Sequence, residues 1–210
     1  MKKDISLRYA ALSLAAAALY LAAAATMSGL CYSMQQSGTI GYYAAAGLTT
    51  VVSGSIPSVF LLLAGCSPQW RANGNAAGAP ATFLYIAAGA ALCTGLDILV
   101  SLLSGAPADT RITANIPLAI ITLALLPAAA EELLFRGFIL HSLRQYGDVF
   151  AVIISSVLFA AVHLNPAAAI LAFLSGMVLG FIRIKTGRLI SSVLTHFIIN
   201  SAAIIISAIC

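Results

Sequence analysis

Apolar residues run along this chain in seven long blocks, at about 9–30, 40–64, 82–104, 114–139, 149–165, 167–184 and 189–209. Most are close to the 20 residues, at 1.5 Å of rise each, that an α-helix needs to cross the hydrocarbon core of a bilayer. Blocks five and six are near the lower limit. Polar and turn-forming residues gather between the blocks. The longest break runs from Ser67-Pro68-Gln69-Trp70-Arg71 to Gly78; others are Gly105 to Arg111, Gln145-Tyr146-Gly147-Asp148, and the short turn Asn165-Pro166. The blocks are continuous and rich in alanine. They lack the alternation of a membrane β-barrel strand, and helices satisfy every backbone hydrogen bond within the segment. The pattern predicts an all-α, polytopic membrane helix bundle of about seven transmembrane helices.

Composition supports this reading. Apolar residues make up 61% of the chain and charged residues 8%, where an ordinary soluble domain is about 45–50% apolar. The ten Lys and Arg against six Asp and Glu do not form a nucleic-acid footprint and read instead as a topology signal. With the N-terminus in the cytoplasm, Lys2, Lys3, Arg8, Arg71, Arg136, Arg144, Arg183, Lys185 and Arg188 all fall on the cytoplasmic side, and Arg111 alone falls outside, as the positive-inside rule asks. The expected location is a bacterial inner membrane. Lys2-Lys3 followed by an apolar run also fits a cleaved signal peptide, but the run continues to about Leu30, so a retained first helix is expected. Cys31, Cys66, Cys93 and Cys210 are too scattered for a disulfide framework or a metal knuckle. Leu63-Ala64-Gly65-Cys66 resembles a lipoprotein box by chance, far from the N-terminus.

The chemistry is confined to the later blocks. Both glutamates of the chain stand side by side as Glu131-Glu132, at the end of an apolar run. A carboxylate there costs about 2.5–3.5 kcal/mol on insertion scales. Glu132 and Arg136 are four apart on one helix and can pair; Glu131 points about 100° away and is left free. The fifth block carries Phe159 and His163, and the seventh carries His196 and Asn200, four apart on one face. Ionisable groups inside a bundle normally face its interior and one another. The first three blocks carry almost nothing reactive. Residues 1–111 are therefore read as three N-terminal spans and 112–210 as a four-span catalytic core. Depth gives a partial check. Glu131 lies about 12 Å from the cytoplasmic end of a helix ending near Ile139, His196 about 11 Å from Leu189, but His163 about 21 Å from Val149. His141 reads as an interface residue beside Arg144, and Asp97 as an acid near the outer end of the third span, paired with Arg111 or touching water.

The ordered motifs Glu-Glu-x-x-x-Arg, Phe-x-x-x-His and His-x-x-x-Asn, each on an apolar helix over about 112–208, resemble the CPBP family: the CAAX prenyl endoproteases and bacteriocin-processing proteins, also called Abi. The resemblance implies an intramembrane endopeptidase with its site open toward the cytoplasm, acting on a peptide or lipid-anchored protein at the membrane. It implies Glu131 as the general base on water, His163 as holding that water, His196 and Asn200 as binding the oxyanion, and Glu132, Arg136 and Phe159 as supporting residues. A metalloprotease version stays open, with Glu131, His163 and His196 holding zinc and Glu132 as base; the chain has no HExxH motif. Two other functions fit the same residues: a non-catalytic binding protein of the bacteriocin-immunity type, and a proton-coupled carrier. The carrier lacks the inverted repeat such folds carry.

Overall fold

The computed structural model describes residues 2–71, 76–104, 114–163 and 165–209, and these form helices with no strands. In order they are α1 (Lys2–Leu30), the short α2 (Tyr32–Gln36), α3 (Thr39–Leu63), α4 (Ala79–Ser104), α5 (Ile116–Tyr146), α6 (Asp148–Ala161), α7 (Pro166–Thr186) and α8 (Leu189–Ile209). Six of them are long and apolar enough to cross a membrane. The protein is an integral membrane helix bundle, as the hydropathy pattern predicts. The difference lies at α6. It stops at Ala161, not at residue 165, and its 14 residues rise only about 21 Å, short of the ~30 Å hydrocarbon core. Asn165 ends the run. Its side chain accepts hydrogen bonds from the amides of Ala167 and Ala168 at 2.9 and 3.1 Å, capping α7, and Pro166 follows as a preset first residue.

The helices bury their small residues and turn their large aliphatic ones to lipid. On α1, Ser13, Ala16, Ala17 and Tyr20 form one buried face, while Leu7, Leu14 and Leu30 are exposed. In lipid, helices associate through close packing of this kind, because apolar burial offers no driving force there. The core joins α1 and α3 to α5 and α6 through Leu61, Leu134, Phe135, Phe138 and Phe159. A second cluster seats Cys93 and Ala90 of α4 against Leu179 of α7 and Ile199 of α8.

Helix α5 is not uniform. Two π-helical stretches, Ile120–Leu125 and Leu133–Ile139, bracket the α-helical turn Leu126–Glu132 that carries both glutamates. Pro127 lies just after the first stretch and has no N–H to give Leu123 O, its α-helical acceptor. Wide turns of this type often sit at functional sites.

Five arginines, Arg8, Arg71, Arg144, Arg183 and Arg188, lie at one end of the bundle, whereas Arg136 is buried within it. Arg8 donates to Ala64 O at 2.7 Å, Arg183 to Gln69 O at 2.7 Å, and the amide of Gln69 to Gly137 O at 3.0 Å. The backbones of Arg71 and Arg188 pair in an isolated antiparallel bridge, and Arg144 pairs with Asp148 at 2.7 Å. Gly147, with φ of 110°, makes the reversal from α5 to α6 at this end.

Candidate active site

Glu132 and Arg136 form the buried centre of the site, each 0% exposed. Arg136 Nη1 donates to Glu132 Oε1 at 2.7 Å, as their spacing predicts. Arg136 Nη2 donates to Gly176 O of α7 at 3.2 Å, and the guanidinium lies over the Phe159 ring, 4.5 Å from its centre. Gly176 makes this approach possible. A Cβ there would meet Ser156 Cβ at 3.1 Å and Arg136 Nη2 at 3.2 Å, and both neighbours are fully buried. Gly176→Ala is expected to cost about 1–3 kcal/mol by overpacking, read as a lower Tm in detergent; an unchanged Tm would show that α7 shifts freely.

His196 of α8 turns Nδ1 toward Glu132 Oε1 at 3.1 Å. A carboxylate can only accept, so this nitrogen carries a proton and donates. Nε2 faces the other glutamate, 4.0 Å from Glu131 Oε2. His163 sits just past the end of α6 with Nδ1 2.9 Å from Phe159 O. A carbonyl also only accepts, so the proton again lies on Nδ1 and the Nε2 lone pair is left available. The Phe159 ring packs edge-on against both imidazoles, 5.1 Å from His163 and 5.8 Å from His196 between centroids. Asn200, one turn beyond His196, approaches Leu123 O with Nδ2 at 3.5 Å. That is the carbonyl Pro127 cannot serve.

A cavity of about 190 Å³ is lined by Phe159, His163, His196 and Asn200, joined by Asp97 of α4 and Ser175 of α7. Glu131 is not part of its lining. It is 9% exposed and meets the cavity through His196. The structure thus brings all seven sequence-picked residues into one connected group. The apparent depth conflict for His163 disappears, because α5 continues past Ile139 to Tyr146. Glu131 then stands about 22 Å from that end, as His163 does from the start of α6. Helix α8 begins at Leu189, whose side chain would meet a Cβ on Gly137 of α5 at 3.4 Å, so its start is level with Gly137.

Two expectations need correction. Glu131 is not free: the Tyr20 hydroxyl of α1 donates to its Oε1 at 2.9 Å. The first three spans are therefore not idle, since α1 supplies Tyr20 and α4 supplies Asp97. No residue pattern around Tyr20 singles it out; an isolated aromatic in an alanine-rich helix is an ordinary packing residue until the fold places it. Asp97 carried a signal, as a lone acid in an apolar helix, but its suggested partner Arg111 lies outside the described residues. His141 lines a different cavity, with Tyr9, Cys66, Gln69 and Arg144, at the basic end. Burial raises the Cys66 thiol above its ordinary value there.

The position of the cavity also bears on topology. His163 and Ala168 flank the turn from α6 to α7, opposite the end that holds Arg144, Arg183 and Arg188. The turn and this basic end therefore lie at opposite ends of α6 and α7.

The suggested zinc set is not gathered round one point. Phe159 packs against both imidazoles, His196 Nδ1 is held by Glu132, and no three His, Cys, Asp or Glu side chains among the described residues are grouped to hold a metal ion.

No curated protein and no solved structure matches the chain. Residues 113–202, the segment that supplies Glu131, Glu132, Arg136, Phe159, His163, His196 and Asn200, match the family described as type II CAAX prenyl endopeptidase Rce1-like. That match supports placing the segment 113–202, and with it every candidate site residue, among the CAAX prenyl endopeptidases.

Proposed function

We propose that the chain hydrolyses a peptide bond in a membrane-associated peptide or lipid-anchored protein, with Glu131 as general base. The observation that carries this reading is the single cavity shared by His163, His196 and Asn200, with Glu131 Oε2 4.0 Å from His196 Nε2. Amide hydrolysis needs a base that takes a proton from water, and donors aimed where negative charge develops on the carbonyl oxygen. His163 Nε2 accepts a hydrogen bond from the attacking water and holds it in the cavity. Glu131 Oε2 takes the proton as the water oxygen bonds to the carbonyl carbon. Asn200 Nδ2 and His196 Nε2, the latter in the doubly protonated ring, donate to the oxyanion. The proton held by Glu131 then passes to the leaving amine as the C–N bond breaks. Glu132 and Arg136 hold the histidine in place. No step passes through a metal.

The test uses purified full-length protein in detergent and a fluorogenic prenylated Cys-aliphatic-aliphatic-X peptide, the substrate type the family description names. His163→Ala and Asn200→Ala are each expected to lower kcat/KM by about 10²–10³-fold, with chelators leaving the wild type unchanged. Full activity in both variants would remove the assigned roles. Stoichiometric zinc, lost together with activity, would replace the glutamate-base chemistry with metal-assisted hydrolysis.

A further inference from the structure

We propose that Tyr20 is a positioning residue for Glu131, so that helix α1, outside the family-matched segment 113–202, completes the catalytic centre. This rests on the reading of Glu131 as the base. The two oxygens of Glu131 have different surroundings. Oε1 accepts from the Tyr20 hydroxyl at 2.9 Å, while Oε2 faces His196 Nε2 at 4.0 Å. Glu132 next door is held by a cation, Arg136. Among the described residues, the Tyr20 hydroxyl donates the hydrogen bond that Glu131 accepts. Without it, the carboxylate is free to rotate about its last torsion, which is soft and roughly two-fold, and Oε2 no longer has one direction.

The rest of α1 is built to bring that hydroxyl into reach. Ser13, Ala16 and Ala17 lie on the same buried face as Tyr20, and small side chains there let the helix come close. The Tyr20 ring is clamped edge-on against Phe135 of α5, with centroids 6.0 Å apart. Phe135 in turn packs on Phe159 at 5.1 Å, so the phenol belongs to the same aromatic chain that seats both imidazoles. Ser53 of α3 lies beside the same hydroxyl. The phenol transfers no proton in this role. Oε1 keeps its hydrogen bond throughout, and the proton from water arrives on Oε2, the oxygen that faces His196 Nε2.

The experiment compares wild type, Tyr20→Phe and full-length protein carrying 3-fluorotyrosine at position 20, on the same prenylated peptide. Phenylalanine keeps the ring against Phe135 and removes only the donor; fluorotyrosine keeps both. Tyr20→Phe is expected to lower kcat about tenfold, the loss of one hydrogen bond to a charged group, with KM within about twofold because the ground-state contacts to substrate are untouched. The fluorotyrosine protein is expected to stay within about twofold of wild type in kcat. Unchanged kcat in Tyr20→Phe overturns the inference. So does an equal loss in both proteins, which would place the effect in packing, and so does a rise in KM that accounts for the loss. Glu131→Gln separates this inference from the reading beneath it. If Glu131→Gln still turns over, the base assignment itself fails; if Glu131→Gln is inactive while Tyr20→Phe is as fast as wild type, only the role of Tyr20 fails.

Discussion

Glu131→Gln is expected to lower peptide cleavage by about 10²–10⁴-fold, the span usually contributed by a positioned general base, while leaving the fold intact. The second half of that expectation follows from the contacts. A glutamine oxygen accepts from the Tyr20 hydroxyl as the carboxylate oxygen does at 2.9 Å. The amide NH₂ takes the place of Oε2, 4.0 Å from His196 Nε2, and can donate to that nitrogen in the singly protonated ring, whose proton lies on Nδ1. Both contacts are satisfiable, so the side chain is not left as a buried orphan and Tm should change little. What the amide cannot do is take a proton from water. Rate loss with a retained Tm therefore reports chemistry. Wild-type turnover in Glu131→Gln would end the peptidase mechanism built on this residue and return the chain to a binding role. A loss of both turnover and folding would mean that Glu131 is held by its charge, contrary to its neutral contact with Tyr20.

Much of this arrangement could be read before the structure. The bilayer forces every spanning backbone group into local hydrogen bonds, so long apolar blocks have little choice but helix; α8 runs Leu189–Ile209 and α3 Thr39–Leu63, almost as the blocks were drawn. The same solvent makes ionisable residues conspicuous, which is why Glu131, Glu132, His163, His196 and Arg136 stood out in a chain that is 8% charged. What stayed hidden depends on geometry that hydropathy does not encode. The π turns of α5 change which residues share a face without changing composition, and α5 continues through Leu140–Tyr146 despite polar residues in its last turns. The early end of α6 depends on Asn165 capping α7 rather than on any loss of apolar character. The Tyr20–Glu131 contact joins residues 111 apart in sequence, and the entry of Asp97 into the cavity joins α4 to α6, α7 and α8. Neither follows from the spacing of the motifs, which repeat within single helices.

Arg136→Met is expected to cost about 3–5 kcal/mol of stability, the usual result of breaking a buried ion pair from one side. Methionine fills much of the volume and keeps apolar contact with Phe159, so the penalty is that of charge rather than of an empty space. Glu132 would keep its His196 contact at 3.1 Å but lose the guanidinium at 2.7 Å, and at 0% exposure it has no water to replace it. Gly176 O would lose its side-chain donor as well. Activity should fall with stability, because His196 takes its orientation from Glu132. The double variant Glu132→Gln/Arg136→Met supplies the control. Glutamine still accepts from His196 Nδ1 and no longer needs a cation, so the double variant is expected to recover most of the lost stability. The coupling between the two positions should then be well above the ~0.5 kcal/mol that separates independent sites. Thermal unfolding in a single detergent measures all four corners of the cycle. Additive losses would show that Arg136 acts through its packing on Phe159 and α7, and that the carboxylate beside it does not require a positive partner.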